Sequence, residues 1–548
     1  MKDFSDAPGE KQRTVLELLY EYQLEYVLAS SDLQYDTIGE RFCLSSEVFE
    51  EILFELYGKV EVKKILDHQS PNQEEKSPYP EVTTLQFLLT QMELMDQILG
   101  RVYQKLDQSK IGRGSTATVV FATDNRGNER ALKIYKPEEG LSEAQMSCIQ
   151  RECRAAQQLR ENKRFVPLRR LYKASEKGIR FRDSEGRVHS LDDKKMAEIS
   201  KGYELYDTSR RVVMEMDRIP GHELGEVKKI REGLVKNDLE KVRTACEQER
   251  GLFTPEEYEE IQGFLLKTLT PESARQVMEI YTTAVVRVVS KAAGIVQELH
   301  DGGFYHTDLK PESFMISDST LVMHDLGSAI EWNNHEPVHF LFSPDYVDFN
   351  FFDGALDRTE EHEEGVKITP QKYFPSDDVF LLGGTLYSLL TGENRSITEY
   401  IPGARINEAI DLLLEAILKK SLTPSNGNPD QSDRFRSAAE FQFALECSLA
   451  LKKETLQQFI SEKLTQPLSK GEQEVRQDLP DLGMKEFGKA LKDIQNQLTT
   501  SLNETGLPLI DQLYRLLLVA RSAPDRYQAI ADDEGKTVEE ALEMFDEE

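Results

Sequence analysis

Apolar residues recur at three- and four-residue spacing over residues 14–66, as in VLELLYEYQLEYVLA (15–29) and SEVFEEILFELYGKV (46–60). This period puts an apolar stripe on one face of a helix, so the segment predicts amphipathic helices. Ser46, with Glu50 and Glu51 in the first turn, suits a helix start. Residues 67–82, DHQSPNQEEKSPYPEV, are polar, carry three prolines and read as a linker. A further helix is predicted over about 84–106.

Near residue 108 the texture changes. KIGRGSTATVVFATDNRGNERALKIYKP is rich in β-branched residues and broken by DNRGN. It predicts strand, turn, strand, strand, with the turn at Asn125-Arg126-Gly127-Asn128. A helix follows at about 142–160, then strands at 168–174, 178–182 and 211–217. Residues 224–276 are strongly charged and helical in period, and 277–300 form a long apolar-faced helix. The pattern stays mostly helical to about 452, continues in segments such as LPLIDQLYRLLLVARS (507–522), and ends in a very acidic stretch at 532–548. The class is α+β. The implied organisation is an N-terminal helical domain (1–106), a central domain (107–452) with a helical insertion at about 224–276, and a C-terminal helical region (453–548) with an acidic tail.

Composition narrows the function. The 548 residues include 98 Asp plus Glu and 67 Lys plus Arg, a net charge of −31. So acidic a chain is a poor binder of nucleic acid or anionic membranes, both of which are recognised through Lys and Arg. Cys43, Cys148, Cys153, Cys246 and Cys447 are odd in number, widely spread and form no CxxC pair, which argues against a disulfide framework and a zinc site. They read as reduced thiols, and the expected location is cytoplasmic. The first residues, MKDFSDAPGEKQRTV, contain no apolar core of a signal peptide, and no run of about 20 apolar residues follows. No membrane span is expected, while export to a host cell by a machine reading other signals stays open.

Three groups of residues carry candidate chemistry. Gly112-Arg113-Gly114-Ser115-Thr116-Ala117-Thr118-Val119 lies between strand-like segments; its glycines would let backbone approach phosphates, and Val119 would cover a base. Lys133, in Ala131-Leu132-Lys133-Ile134, sits mid-strand and needs an anion if buried; Glu152 on the next helix can supply it. Then His306-Thr307-Asp308-Leu309-Lys310-Pro311-Glu312-Ser313 is followed, after a short strand, by Asp325-Leu326-Gly327. Asp308 suits a base for a hydroxyl proton, Lys310 a transferring phosphoryl group, and Asp325 Mg²⁺.

In these motifs the sequence resembles the eukaryotic-type protein kinase family, specifically its Ser/Thr branch, over about 108–450. The resemblance implies a bilobal protein-kinase fold, with a small antiparallel β lobe and a large helical lobe, flanked here by helical regions. It implies ATP as phosphoryl donor, Mg²⁺ or Mn²⁺ as metal, and a protein substrate. It assigns Ile111, Gly112, Gly114, Val119 and Ala131 to the nucleotide, Met214 to the gatekeeper, and the Glu215 and Asp217 backbone to adenine. It also implies that Asp378, in Ser376-Asp377-Asp378-Val379, anchors the catalytic-loop backbone, and that Arg434 closes the large lobe.

Four departures stand out. Ala117 replaces a loop glycine, where a small residue suffices. Thr307 replaces the Arg that pairs with an activation-loop phosphate, which implies activity without phosphorylation there. Ser313 replaces an Asn that binds a second Mg²⁺, a weaker ligand. Asn350 replaces a Glu that pairs with the late Arg, and residues 351–374 are longer than usual, so the peptide-binding surface is unusual. Two alternatives follow: a pseudokinase or scaffold whose helical flanks bind a regulatory protein partner, and a kinase of small molecules. The insertion at 224–276 is expected as a lid, a docking surface or a solvated decoration.

Overall fold

The computed structural model describes residues 102–523, apart from 114–116, 125–126, 136–142, 174–178, 183–186, 191–210, 267–269, 318–319, 336, 340–342, 344–345, 347–358, 363–364, 369, 394–410, 424–433 and 501–505. The helices and linker expected within 1–101 and the acidic tail lie outside the described residues. The chain divides into two compact units between Ile219 and Pro220.

The first unit is built on a five-stranded sheet. Its strands are β1 (Lys105–Arg113), β2 (Ala117–Thr123), β3 (Glu129–Tyr135), β4 (Leu168–Lys173) and β5 (Val212–Asp217), with α1 (Glu143–Gln158) between β3 and β4. The spatial order is β1-β2-β3-β5-β4, and every pairing is antiparallel. Burial alternates along β2, as the period of two requires for a half-covered strand. The β2–β3 turn closes with the Gly127 N–H donating to the Asp124 carbonyl, and Gly127 takes φ +84°, which a side chain would resist. One expectation needs correction here. Residues 102–106 are not the end of a helix: Val102 and Tyr103 pair in parallel with Arg180 and Phe181, and β1 starts at Lys105. The Tyr103 ring is buried and its hydroxyl donates to Glu215 at 2.7 Å, so this stretch belongs to the sheet unit.

The second unit is mostly helical. It opens with α2 (Lys228–Val235), α3 (Leu239–Gln248) and α4 (Pro255–Leu265), the residues expected as an insertion. Ile230, Leu234, Val242, Ala245, Ile261 and Leu265 all face inward, and Arg287 on the following helix pairs with Glu257. These helices are therefore packed into the unit and are not a solvated decoration. The long helix, α5 (Pro271–Asp301), begins six residues before its expected start at 277, because Thr270 caps Ser273 and Pro271 fits the first turn. β6 (Phe314–Ser317) and β7 (Thr320–Met323) form a hairpin whose outer edge takes His222 and Glu223. Gly221 permits this approach: a Cβ there would meet the Ile316 carbonyl oxygen at 2.1 Å.

α6 (Pro375–Thr391) and α8 (Ala438–Lys452) pack against α5, α7 (Leu412–Ser421) packs against α6 and α8, and α6 stops at Gly392 in the left-handed conformation. α9 (Leu456–Leu464), α10 (Lys470–Gln477), α11 (Met484–Thr500) and α12 (Gly506–Arg521) follow. These helices pack onto the preceding ones. α12 lies against α7 and α8, and the Phe443 ring of α8 meets Phe459 and Tyr514 at 5.2 Å each. Arg521 makes a buried two-pronged pair with Glu472, at 2.7 and 2.9 Å, and donates to the Gln466 and Pro467 carbonyls. Among the described residues no helix is long and apolar enough to cross a membrane.

Two tests follow from this packing. Arg521→Ala would strand the Glu472 carboxylate, and urea unfolding is expected to show a loss of about 3–5 kcal/mol, the usual effect of halving a buried pair. Unchanged stability would show that the C-terminal helices are not integral. The second test concerns Glu249, which is 4% exposed. Burial, opposed by Lys229, pushes its carboxyl up to about 7. The unfolded chain thus ionises first as pH rises from about 4.5, so this group lowers stability progressively up to about 7. Glu249→Gln is expected to stabilise by about 1–3 kcal/mol at pH 8 and by little near pH 4.5. Equal effects at both pH values would contradict the assignment.

Candidate functional site

In the sheet unit, β3 and α1 bring together the residues expected to hold phosphates. Lys133 Nζ lies 2.8 Å from both Glu152 carboxylate oxygens. Glu152 is 2% exposed, and a full charge there requires such a partner. A third group joins them: the Tyr135 hydroxyl donates to Glu152 Oε2 at 2.7 Å, and its ring lies 5.6 Å from the lysine ammonium. Burial and the Glu152 charge hold Tyr135 well above the ordinary tyrosine range, so it remains a donor. Sequence reasoning did not include Tyr135, although residues two apart on a strand share a face.

Around this pair the expected nucleotide residues take defined places. Gly112 stands opposite Val119 and Ile111 opposite Val120 in the β1–β2 ladder; Gly114 lies outside the described residues. Ala131 and Ala117 are buried, and Met214, fully buried, stands opposite Lys133. The end of β5 is more heavily engaged than expected. Asp217 holds Arg169 in a two-pronged pair at 2.9 and 2.6 Å and also pairs with Arg130. Its backbone N–H donates to the Pro167 carbonyl at 3.2 Å, so an adenine would have to compete for it. The Glu215 side chain accepts from Tyr103, leaving only its backbone as a candidate for a base.

In the helical unit the loop from His306 to Ser313 is held from below by Asp378. This residue has no exposure. Its Oδ2 accepts the His306 N–H and faces His300 Nε2, both at 2.8 Å. Its Oδ1 accepts the Thr307 N–H at 2.9 Å and the Tyr373 hydroxyl at 2.8 Å. Burial acts to raise the Asp378 carboxyl, but His300, His306 and these hydrogen bonds outweigh it and hold it below the usual carboxylate range. The expected anchoring of the loop backbone is thus seen in two of these bonds, those from the His306 and Thr307 N–H groups. They also fix a costly backbone: Thr307, β-branched, has φ +67°. Its hydroxyl donates to the Ser328 carbonyl at 3.0 Å, and Ser328 Oγ returns a bond to the His306 carbonyl at 2.7 Å.

The reactive groups stand on this loop. Lys310 Nζ bridges Asp308 Oδ2 and Ser343 Oγ, at 2.9 Å each. Asp308 Oδ1 is buried and meets no donor among the described residues. Burial acts to lower the Lys310 ammonium, yet Asp308, Asp325 and Glu312 together hold it above its ordinary value. Glu223 lies in the same field; burial, with Glu312 and Asp325 nearby, raises its carboxyl.

Ser313, expected as a weak metal ligand, is engaged by the loop itself. It is fully buried, its hydroxyl donates to the Asp308 carbonyl at 3.2 Å, and the Lys310 N–H donates to it at 3.3 Å. It staples the loop through one bond donated and one accepted. Among the described residues no cluster of three or more His, Cys, Asp or Glu would hold a metal by itself. Mg²⁺ carried with nucleotide phosphates needs only one or two carboxylates. Asp325, in a field negative enough to perturb Glu223 and Lys310, fits that requirement. Arg434 is buried on Asp377 at 3.2 Å and on the Ser376 and Thr423 carbonyls; Asn350, in the place of the family Glu, lies outside the described residues.

Comparison with known proteins adds a short sequence likeness. A stretch of 93 residues, 17% of this chain, is 30% identical to cyclin-dependent kinase F-3 of Oryza sativa subsp. japonica. The chain spans 18% of the length of this curated relative. That likeness supports a protein kinase fold. A solved structure described as ROP18 kinase domain in complex with AMP-PNP and sucrose aligns over 72% of this chain and 95% of its own, at 16% identity and a TM-score of 0.35. No family model matches.

The anchor can be tested directly. Asp378→Asn keeps the shape but offers one acceptor oxygen where four donors converge, so a loss of about 2–4 kcal/mol is expected in thermal or urea unfolding at pH 7. The wild-type advantage is fully present above pH 3.8, the unfolded carboxyl value, and disappears as pH falls through the lower folded value. An Asn variant as stable as wild type at pH 7 would remove Asp378 from this role.

Proposed function

We propose that the chain is an ATP-dependent protein kinase that transfers the γ-phosphoryl group to Ser or Thr hydroxyls of protein substrates. The observation that carries this reading is the Asp308–Lys310 arrangement. One carboxylate oxygen is held by the lysine and the other is left without a donor, on a loop whose backbone is pinned at both His306 and Thr307. An acceptor hydroxyl reaching the Asp308 carboxylate would be oriented by it and would give up its proton there as the oxygen bonds to the γ-phosphorus. The bond to the β–γ bridging oxygen breaks in the same step, and the ADP oxygen carries the electron pair away. Lys310, kept protonated by its acidic neighbours, would offset charge on the transferring group. Lys133, oriented by Glu152 and Tyr135, would grip the donor's α- and β-phosphates. Mg²⁺, or Mn²⁺ in its place, would sit at Asp325 and neutralise phosphate charge.

The Thr307 substitution supports activity without a phosphate on the segment after Asp325. The residue is 2% exposed, uncharged, and its hydroxyl is committed to Ser328, so nothing at this position would gain from a phosphate. A second reading draws on Ser313: with that hydroxyl spent on the loop, a protein that binds nucleotide without transferring phosphate is the competing function. Such a scaffold would present its helical flanks to a regulatory protein partner.

The deciding experiment is transfer from labelled ATP to a basic protein acceptor, with Mg²⁺ and separately with Mn²⁺. Wild type is expected to transfer and to keep its rate after phosphatase treatment, whereas Asp308→Asn loses about 10²–10⁴-fold, the usual worth of a positioned base. ATP binding with no transfer by wild type would favour the scaffold.

A further inference from the structure

The stretch between Asp325 and α6 does more than connect. Val338–His339, Thr359–His362 and Gly365–Ile368 form a three-stranded antiparallel sheet, with Gly365–Ile368 in the middle. Its residue Ile368 is 1% exposed and packs with Ile330 and Tyr373, joined by Tyr305 and Val338. Two lines of force run from this cluster to the loop bearing Asp308. Ile330 stands opposite Tyr305 in an antiparallel pair, and Tyr305 immediately precedes His306. Tyr373, 3% exposed, sends its hydroxyl to Asp378 Oδ1, the oxygen that also receives the Thr307 N–H. The Tyr305 ring links the two, 5.6 Å from Tyr373 and 5.4 Å from His300, the other side-chain partner of Asp378.

We propose that Tyr373 is a positioning residue through which this sheet and its apolar cluster brace the Asp308 loop, so that the loop is ordered by packing instead of by a phosphate. The inference rests on the kinase reading for its consequence on rate, but not for its structural content. The chemistry is complementary to what the loop lacks. Thr307 offers no cation to a phosphate and holds a φ of +67°, a conformation that persists only where surrounding contacts over-determine it. The His306 and Thr307 N–H groups supply two bonds to Asp378, and His300 and Tyr373 fix the carboxylate those bonds need. Tyr373 brings the sheet into that set of contacts, because it sits in the same cluster as Ile368.

The test uses the full chain with Tyr373→Phe, which removes the hydroxyl and keeps the ring, and Ile368→Ala, which keeps the hydroxyl and loosens its support. Hydrogen–deuterium exchange is followed on the peptide covering 304–310, with peptides from α5 and α8 as a check that the fold is intact. Both variants are expected to exchange about tenfold faster in the loop and normally in the helices. Their kcat is expected to fall about tenfold with KM for ATP within about twofold, the signature of a misplaced loop and not of weakened nucleotide binding. Wild-type exchange in the loop of both variants would overturn the brace, and so would faster exchange with an unchanged kcat. If wild type itself transfers no phosphate, the kinase reading fails while the exchange measurement still decides whether Tyr373 holds the loop.

Discussion

A carboxylate with no exposure to water must find every hydrogen bond inside the protein, and Asp378 meets that demand from four directions. The constraint is severe because an unmet acceptor of this kind costs several kcal/mol. Its solution fixes where other elements end. His300 stands in the last turn of α5, His306 and Thr307 start the loop, and Tyr373 closes the stretch before α6. A helix end, a loop and a sheet are thereby registered on one side chain. The strained conformation at Thr307 follows from the same requirement, since its N–H must reach Oδ1 while its hydroxyl reaches Ser328.

The loop shows a division between residues that hold and residues left to react. Ser313 and Ser328 spend their hydroxyls on backbone atoms, as does Thr307. Asp308 keeps a buried oxygen that meets no donor among the described residues, and Lys310 faces a surplus of negative charge. The sheet unit repeats the arrangement in another form. Glu152 is saturated by Lys133 and Tyr135, so its role is to orient the ammonium and not to meet a ligand. In both places the holding member is a buried carboxylate met by several hydrogen bonds, Asp378 in one and Glu152 in the other, which favours a single geometry.

The parts legible in the sequence are those governed by local chemistry. The strands β2 and β3, from their β-branched content, the turn at Gly127, the Lys133–Glu152 pair and the anchoring by Asp378 follow from composition and spacing, or from the family resemblance they support. The unread parts depend on contacts between distant segments. Nothing in the run from Val102 to Leu106 announces a strand; it pairs because Arg180 and Phe181 lie alongside it, and Tyr103 reaches Glu215, 112 positions away. Ser313 looked like a metal ligand because its position matched a family asparagine. Its hydroxyl is short, and the nearest groups, the Asp308 carbonyl and the Lys310 N–H, engage it first. For the helices from 456 onward the sequence left packing within the domain and partner recruitment equally open, because amphipathic periods do not say which core they cover.

That last ambiguity has a physical resolution in the chain itself. A helical appendage that merely flanks a domain shows a polar seam where it meets it, whereas α8 meets α9 and α12 through Phe443, Phe459 and Tyr514. α10 adds a polar contact at a sensitive point: the Lys470 and Gly471 N–H groups, at its start, donate to Asp301 at 3.3 and 3.1 Å. Asp301 is the final residue of α5, three positions before the strand at Phe304–Tyr305 that leads into His306. The N-terminal end of a helix favours a carboxylate there, so α10 fixes the end of α5 from one side as Asp378 fixes the loop from the other. The C-terminal helices are in this sense part of the same scaffold as the site, and their amphipathic faces are used inside the molecule.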